Sequence, residues 1–276
     1  MDNPSDEAND RQGHDIIVIG GSAGGVDALR QLIEMLPDDL PAALFVVLHF
    51  PAHAPSVLPR VLNRRTGLSV SHARDGEPIE QGRIYIAPPD RHLLIKRGHV
   101  RLSPGPRENS ARPAIDPLFR TAATSYGPRV VGVVLSGSLD DGSAGLKLIR
   151  MRKGIVICQE PEEALFDDMP RNAIMTGDVD YILPLAGIAE KLVELAYQSV
   201  EEVGGVVMDE EVEFDNDIIA MEIGAIEGED RSGLPSVFAC PACGGVLWER
   251  DEAGLIRFRC RVGHAYSTDS LLAEQE

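Results

Sequence analysis

The chain has 276 residues, of which 43% are hydrophobic, which is typical of a globular protein with one sizeable domain or one domain and a small module. Its formal net charge of −18 argues against nucleic acid as a partner of the whole chain, because an acidic protein repels a phosphate backbone. No apolar run reaches the length of a membrane span, so membrane insertion is not expected. The polar, acidic N-terminus and the clustering of three of the four cysteines near the C-terminus predict a cytoplasmic protein without a disulfide framework.

Short apolar strands alternate with helical patterns over the first two thirds of the chain. The predicted strands are residues 15–20, 43–50, 82–89, 92–102, 129–138 and 154–160. The predicted helices are residues 26–36, 116–127, 141–154 and 187–202. This alternation predicts an α/β fold, with a doubly wound, mostly parallel sheet that carries helices on both faces. In such sheets ligands bind beyond the carboxyl ends of the strands.

Composition divides the chain into four parts. Residues 1–14 are predicted to be a disordered N-terminus, and residues 15–200 to be the α/β domain. Twelve acidic and no basic residues lie between Glu201 and Asp230, so residues 201–234 are predicted to be an acidic linker. Residues 235–270 are predicted to form a separate small module.

A glycine-rich turn, GGSAGG, follows the first predicted strand and contains Ser22. The dinucleotide-binding fingerprint G-x-G-x-x-G fails in both registers, because Ser22 or Ala23 occupies the third position. The pattern G-x-S-x-G does fit, and it is typical of a turn that presents a nucleophilic serine. A plain tight turn that happens to contain a serine explains these residues equally well.

Two further candidates also follow apolar strands. His49 ends the second strand and is the imidazole best placed to act as a base toward Ser22, although a buried structural histidine is the commoner case. Five of the other histidines, His14, His53, His72, His92 and His99, precede a strand or lie in polar stretches that suggest loops. Asp140 and Asp141 follow the strand 129–138, where either carboxylate could orient His49 or cap the next helix.

With these segments in order, the chain resembles the catalytic domain of the CheB family of chemotaxis protein-glutamate methylesterases. The resemblance runs from about Asp15 to Ser199 and rests on VIGGSAGGVDAL (18–29), LHFPAH (48–53), ARDGEPIEQGRIYIAPPDRHLLI (73–95), RPAIDPLFRTAA (112–123), VVLSGSLDDGSAGL (133–146) and CQEPEEALFDDMPRNAI (158–174). It implies Ser22 as nucleophile, His49 as general base and Asp141 as orienting acid. It also implies that backbone N–H groups of Ala23 and Ser138 bind the oxyanion.

The loop after residue 135 departs from the family pattern. Ser136-Gly137-Ser138-Leu139 stands where the family usually has Thr-Gly-Met-Gly, and Ala23 stands where it usually has threonine. A backbone N–H at Ser138 survives a change of side chain. Leu139 in place of glycine is expected to restrict the conformation of the loop.

The resemblance implies hydrolysis of γ-glutamyl methyl esters on the cytoplasmic helices of methyl-accepting chemotaxis receptors, with glutamine deamidation as a second reaction. It also implies chemosensory signalling partners. Only about fourteen residues precede the first strand, so the receiver domain found in well-known members is not expected, nor is phosphorylation control within the chain. A catalytically inactive adaptor and, less well supported, a nucleotide-binding module remain alternatives.

The C-terminal module contains a set of four metal-ligand residues. Cys240-x2-Cys243 is followed, sixteen residues later, by Cys260-x3-His264. Paired thiolate and imidazole ligands at this spacing are typical of a structural zinc site with tetrahedral coordination. We therefore expect one Zn²⁺ to stabilise a zinc-ribbon-like module whose own hydrophobic core is small, and no cofactor to take part in catalysis.

Overall fold

The computed structural model describes residues 13–49, 56–177, 179–200, 210–221, 233–252 and 254–275. The strands are β1 (Ile16–Gly21), β2 (Ala43–Leu48), β3 (Ser69–His72), β4 (Arg83–Ile86), β5 (His92–Lys96), β6 (His99–Ser103), β7 (Val130–Val134), β8 (Ile155–Gln159), β9 (Tyr181–Leu183), β10 (Leu234–Ala239), β11 (Val246–Glu252), β12 (Leu255–Cys260) and β13 (Ala265–Ser267). The helices are α1 (Gly25–Glu34), α2 (Leu58–Leu62), α3 (Ile115–Tyr126), α4 (Ser143–Met151), α5 (Asp168–Met175), α6 (Leu185–Tyr197), α7 (Glu210–Ala220) and α8 (Thr268–Ala273).

A parallel sheet of seven strands, in the order β3-β4-β2-β1-β7-β8-β9, forms the centre of the large domain. Residues of β1, β2 and β7 are buried throughout, because apolar side chains project to both faces. Helices α1 and α6 contribute to the hydrophobic core on one face, and α3 and α4 to the core on the other. This arrangement confirms the predicted doubly wound α/β fold.

The order of the strands reverses at β1, which lies between β2 and β7. The register aligns Gly21 with Leu48 on β2, and Gly20 with Val134 on β7. The carboxyl ends of these three strands therefore meet at one edge, at the point where connections leave in opposite directions. A crevice forms at such a switch point in doubly wound sheets.

Three histidines whose polar surroundings suggest loops belong to strands. His92 begins β5 and His99 begins β6, both inside the predicted strand 92–102. His72 ends β3, where no strand is predicted, so the prediction of a loop is wrong for it. His92 is fully buried, with Nε2 2.9 Å from the Pro106 carbonyl oxygen and Nδ1 accepting a hydrogen bond from the Ala114 N–H. Because backbone groups satisfy the ring, a polar residue can occupy a buried strand end. His53 lies outside the described residues.

The acidic segment differs from the prediction of a linker over residues 201–234. Eleven of these residues form α7, in which Asp215 and Asn216 are buried. Asp215 pairs with Arg250 at 2.7 Å and with Arg259 at 3.0 Å, while the Arg120 Nε donates to the Asn216 amide oxygen at 3.0 Å. These arginines come from other elements and offset the acidic charge of the segment. Residues of α7 can therefore be buried although the segment itself is acidic.

The C-terminal residues form a four-stranded antiparallel sheet, in the order β10-β11-β12-β13, followed by α8. We call residues 233–275 the C-terminal module. Of the predicted disordered N-terminus, residues 1–12 lie outside the described part, whereas the His14 N–H donates to the Leu195 carbonyl oxygen at 3.2 Å. None of the helices in the described ranges has the length and apolar character needed to cross a membrane.

Candidate active site

Ser22 lies in the turn that joins β1 to α1. Its N–H donates to the Ser136 carbonyl oxygen at 3.0 Å, and its own carbonyl accepts from the Gly25 N–H at 2.9 Å. Gly24 has φ 74°, a left-handed conformation that glycine adopts without strain. The turn therefore places the Ser22 side chain at the edge where the strands end.

His49 lies between Ser22 and Asp141. Its Nδ1 is 3.2 Å from the Ser22 Oγ, and its Nε2 is 2.8 Å from the Asp141 Oδ2. A carboxylate against Nε2 favours the tautomer with its proton on that nitrogen, and this leaves Nδ1 as the acceptor for the Ser22 hydroxyl. The side chain of His49 is 22% exposed and that of Asp141 is 2% exposed, so solvent reaches the serine side of the site.

Asp141 is buried at the amino end of α3. Its Oδ2 accepts the Ile115 N–H at 2.7 Å, and its Oδ1 accepts the Asp116 N–H at 3.2 Å and the Asn109 Nδ2 at 2.8 Å. Burial opposes ionisation of Asp141, but the hydrogen bond and charge of His49 and the bonds from Ile115 and Asn109 outweigh it and lower the pKa of this carboxyl group. Asp141 is therefore held as a carboxylate that faces His49.

The structure separates the two candidate carboxylates after β7. Asp141 contacts His49, whereas Asp140 accepts hydrogen bonds from the hydroxyls of Ser267 at 2.7 Å and Ser270 at 3.1 Å. Neither caps α4 through its own side chain. The two neighbours therefore have different roles, one toward the imidazole and one toward the C-terminal module.

Asp116 and Asn109 belong to the site, although the sequence did not identify them. Asp116 Oδ1 accepts the N–H groups of Gly142 at 3.0 Å and Gly145 at 2.8 Å, at the start of α4. Burial raises the pKa of Asp116; Arg257 opposes this shift, and the charge of Asp141 adds to it. Asp116 lies in the stretch RPAIDPLFRTAA that carries part of the family resemblance, whereas no motif had included Asn109.

The loop after β7 runs directly beside Ser22. A Cβ atom at Gly137 would lie 3.0 Å from the Ser22 Cβ and 2.7 Å from the Met169 Sδ, so a larger residue there would displace these side chains. Within the described parts of the chain, the N–H groups of Ala23 and Ser138 have no hydrogen-bond acceptor. These two donors are therefore available near Ser22.

Leu139 has φ 63°, which explains why glycine is usual at this position in the family. We expect Leu139→Gly to raise the free energy of unfolding by roughly 0.5–1 kcal/mol, because glycine relieves the left-handed strain but is more flexible when unfolded. Urea unfolding measures this change. Leu165→Gly is the matched control, since Leu165 is 73% exposed and does not have a positive φ. If the free energy of unfolding rose equally in both variants, the gain would not come from relief of the left-handed conformation at position 139.

The C-terminal module brings its four predicted ligand residues together. The sulfur atoms of Cys240, Cys243 and Cys260 and a ring nitrogen of His264 all lie within 4.8 Å of one another. The Cys243 and Cys260 sulfurs are 3.6 Å apart, and His264 Nδ1 is 3.5 Å from the Cys260 sulfur. Tetrahedral zinc with Zn–S bonds of about 2.3 Å separates its sulfur ligands by about 3.8 Å. This Cys3His cluster can hold a metal ion.

Comparison with known proteins agrees with the fold of the large domain. A family model described as CheB methylesterase matches residues 17–192. A relative in Leptospira interrogans is 37% identical over 190 residues, which cover 68% of this chain and 98% of that protein. A protein-glutamate methylesterase/protein-glutamine glutaminase of Anaeromyxobacter dehalogenans is 39% identical over 181 residues, which cover 66% of this chain and 53% of that protein.

A solved structure gives the same result in three dimensions. The catalytic domain of Thermotoga maritima CheB methylesterase aligns with a TM-score of 0.63 and 37% identity, covering 66% of this chain and 98% of that one. The matched region contains β1, β2 and β7 and the turns that follow them. The resemblance inferred from the sequence motifs is confirmed, and the chain belongs to the CheB methylesterase family.

Proposed function

We propose that Ser22, His49 and Asp141 are the catalytic triad of a protein-glutamate methylesterase that acts on chemoreceptor-type proteins. The observation that carries this proposal is the continuous set of contacts from the Ser22 Oγ through both ring nitrogens of His49 to a buried carboxylate. These are the contacts that a serine nucleophile needs from a base and from a group that orients the base. In this proposal, named atoms of this chain carry out the activity of the family.

In the proposed reaction the Ser22 Oγ attacks the ester carbonyl carbon while His49 Nδ1 takes the hydroxyl proton. Asp141 holds the proton on Nε2 and stabilises the imidazolium that forms. The N–H groups of Ala23 and Ser138 donate to the oxyanion of the tetrahedral intermediate. His49 then returns the proton to the leaving methoxide, and methanol departs. Water, activated by the same nitrogen, hydrolyses the acyl-enzyme to free glutamate and Ser22.

Deamidation of a glutamine side chain would use the same atoms. The leaving group is then ammonia, which needs the proton from His49 Nδ1 more strongly than methoxide does. Both substrates have a γ-carbonyl of the same shape, so the oxyanion donors of Ala23 and Ser138 serve either one. We therefore extend the proposal to the glutaminase reaction.

Apolar side chains beside Ser22 support a protein surface as substrate. Leu165 is 73% exposed and Phe166 is 44% exposed, and both lie within 3.3 Å of where a Cβ at Gly24 would be. Leu139, in the loop after β7, is 40% exposed. Exposed apolar side chains around a catalytic group suit a helical receptor surface. The cytoplasmic location and the further chemosensory partners stay predictions from the sequence.

The test uses chemoreceptors whose glutamate methyl esters carry labelled methyl groups. We expect the purified chain to release labelled methanol, and an alkyl phosphonate to stop this release by attaching to Ser22, as peptide mass spectrometry would show. Ammonia release from receptors with glutamine at these positions tests the second reaction. Absence of both methanol release and phosphonate attachment would favour the inactive adaptor.

We also propose that the Cys3His cluster binds one structural Zn²⁺. The module has a hydrophobic core of few residues, so metal binding would supply much of its folding free energy. We expect metal analysis of protein purified without chelator to find one zinc per chain, and Cys243→Ser to lose it and to expose β10–β13 to proteolysis. Ser236→Ala, on the same sheet but outside the cluster, is the control. Zinc-free wild-type protein with a protected module would contradict the proposal.

A further inference from the structure

Asn109 connects the C-terminal module to the carboxylates behind His49. Its Nδ2 donates one hydrogen bond to Asp141 Oδ1 at 2.8 Å and another to Asp116 Oδ2 at 2.9 Å. Its Oδ1 accepts the backbone N–H of Ser267, at the end of β13, at 3.0 Å. The orientation of the amide is therefore fixed, because its nitrogen faces two acceptors and its oxygen faces a donor.

The backbone of Asn109 is held in a strained conformation by the same strand. Asn109 has φ 48° and Ser110 has φ 61°, both in the left-handed region. The Asn109 N–H donates to the Ala265 carbonyl oxygen at 2.8 Å, and the Ala265 N–H donates to the Arg107 carbonyl oxygen at 3.1 Å. Such strain persists only where surrounding contacts hold it, and here β13 supplies those contacts.

Two other contacts from the module reach residues next to Asp141. Arg257 on β12 donates to Asp116 Oδ2 at 2.9 Å, and both side chains are buried. Ser267 and Ser270 donate to Asp140, the residue that precedes Asp141. The module therefore contacts three residues around Asp141, namely Asn109, Asp116 and Asp140. Among the described residues, its metal-ligand residues do not contact the triad.

The position of Asn109 also has an electrostatic consequence. Asp116 and Asp141 are two buried carboxylates that raise each other's free energy of ionisation. One amide group donates to both, so it stabilises both charges and fixes the direction in which Asp141 Oδ2 faces His49. A carboxylate at position 109 would repel both groups, and an apolar side chain would leave Asp141 Oδ1 short of one donor.

We propose that Asn109 is a positioning residue for Asp141 and that β13 of the C-terminal module holds Asn109 in place. The docked module is then a working part of the hydrolytic site, as well as a separate metal-binding unit. This inference rests on the proposed triad. It predicts that a change confined to the module lowers the rate of the chemical step without changing how receptor binds.

The first experiment removes the Asn109 side chain without adding backbone strain. We expect Asn109→Gly to lower kcat for methanol release by about 10- to 100-fold with KM unchanged, because a misplaced Asp141 weakens the proton transfer and leaves the receptor surface intact. Ser110→Gly is the matched control, since it loosens the neighbouring left-handed residue and leaves the amide in place. Equal kcat values in both variants, or a raised KM with unchanged kcat, would overturn the proposal.

The second experiment acts from the module. Ser267→Pro removes the N–H that binds the Asn109 Oδ1, and its φ of −73° is one that proline adopts. Ser267→Ala is the matched control, because both variants lose the hydroxyl contacts to Asp140 and Ser270, but only proline loses the N–H. We expect kcat to be lower for Ser267→Pro than for Ser267→Ala by about 10-fold. Adding Ser267→Pro to Asn109→Gly should cause no further tenfold loss, since both act through one contact.

A spectroscopic measurement separates failure of this inference from failure of the proposed function. The proton on His49 Nε2, bound to Asp141, should give a low-field NMR resonance that is present in wild type and in Ser110→Gly and is shifted or lost in Asn109→Gly and Ser267→Pro. This resonance does not require turnover. An inactive wild type with the expected resonance changes would overturn the esterase proposal alone, whereas an unchanged resonance in both test variants would overturn the role of Asn109.

Discussion

Replacing Ser22 with alanine is expected to lower kcat for methanol release by about 10⁴- to 10⁶-fold. The substitution removes the attacking oxygen, and His49 Nδ1, 3.2 Å away, loses the hydroxyl whose proton it would take. The Ser22 N–H, which binds the Ser136 carbonyl oxygen, is retained, so the turn between β1 and α1 is expected to keep its shape. KM for labelled receptor should therefore change little. Single-turnover release of labelled methanol measures the effect.

Ser138→Ala is the matched control for this prediction. Ser138 follows Gly137, which lies beside Ser22 in the loop after β7, and its proposed contribution is a backbone N–H that alanine also has. We expect its kcat to stay within about threefold of wild type, since an oxyanion donor of this kind survives the change of side chain. If Ser22→Ala kept as much activity as Ser138→Ala, the assignment of Ser22 as the nucleophile would be wrong.

The sequence predicted the sheet and three residues at its edge because the information is local. Apolar runs that are buried on both faces identify parallel strands, and the carboxyl ends of such strands meet at one edge. Ser22 and His49 directly follow two of these strands, so it could be inferred that they lie close together without knowing any other contact. The choice between Asp140 and Asp141 could not be made in this way, because neighbouring residues differ only in which partner each one faces.

The contribution of the C-terminal module could not be predicted because its contacts join distant parts of the chain. Ser267 binds a residue 158 positions earlier, and Arg257 binds Asp116, 141 positions earlier. No basic residue lies between Glu201 and Asp230, so the composition of the acidic segment suggests a solvated linker. Its buried carboxylate, Asp215, pairs instead with arginines of β11 and β12. Pattern and composition report neighbours in sequence, whereas these ion pairs depend on how the two units dock.

Asp141→Asn is expected to lower kcat by about 10⁴-fold while the fold is retained. Asp141 now accepts hydrogen bonds from His49, Ile115, Asp116 and Asn109. An asparagine there has one oxygen and one NH2 group, so at least one of these donors would face another donor. With NH2 toward His49, the ring must accept at Nε2 and carry its proton on Nδ1, where it can no longer take the proton of Ser22. Steady-state methanol release measures the loss.

Asp140→Asn is the control that separates orientation of His49 from stability. Asp140 is also a carboxylate in this loop, but it binds the hydroxyls of Ser267 and Ser270, which can reorient to donate to an amide oxygen. We expect kcat of this variant to fall by about tenfold at most, through weaker docking of the module. If Asp141→Asn lost no more activity than Asp140→Asn, Asp141 would be a structural cap for α3, and another group would have to orient His49. If only Asp141→Asn is inactive, the essential carboxylate is the one whose charge faces the imidazole.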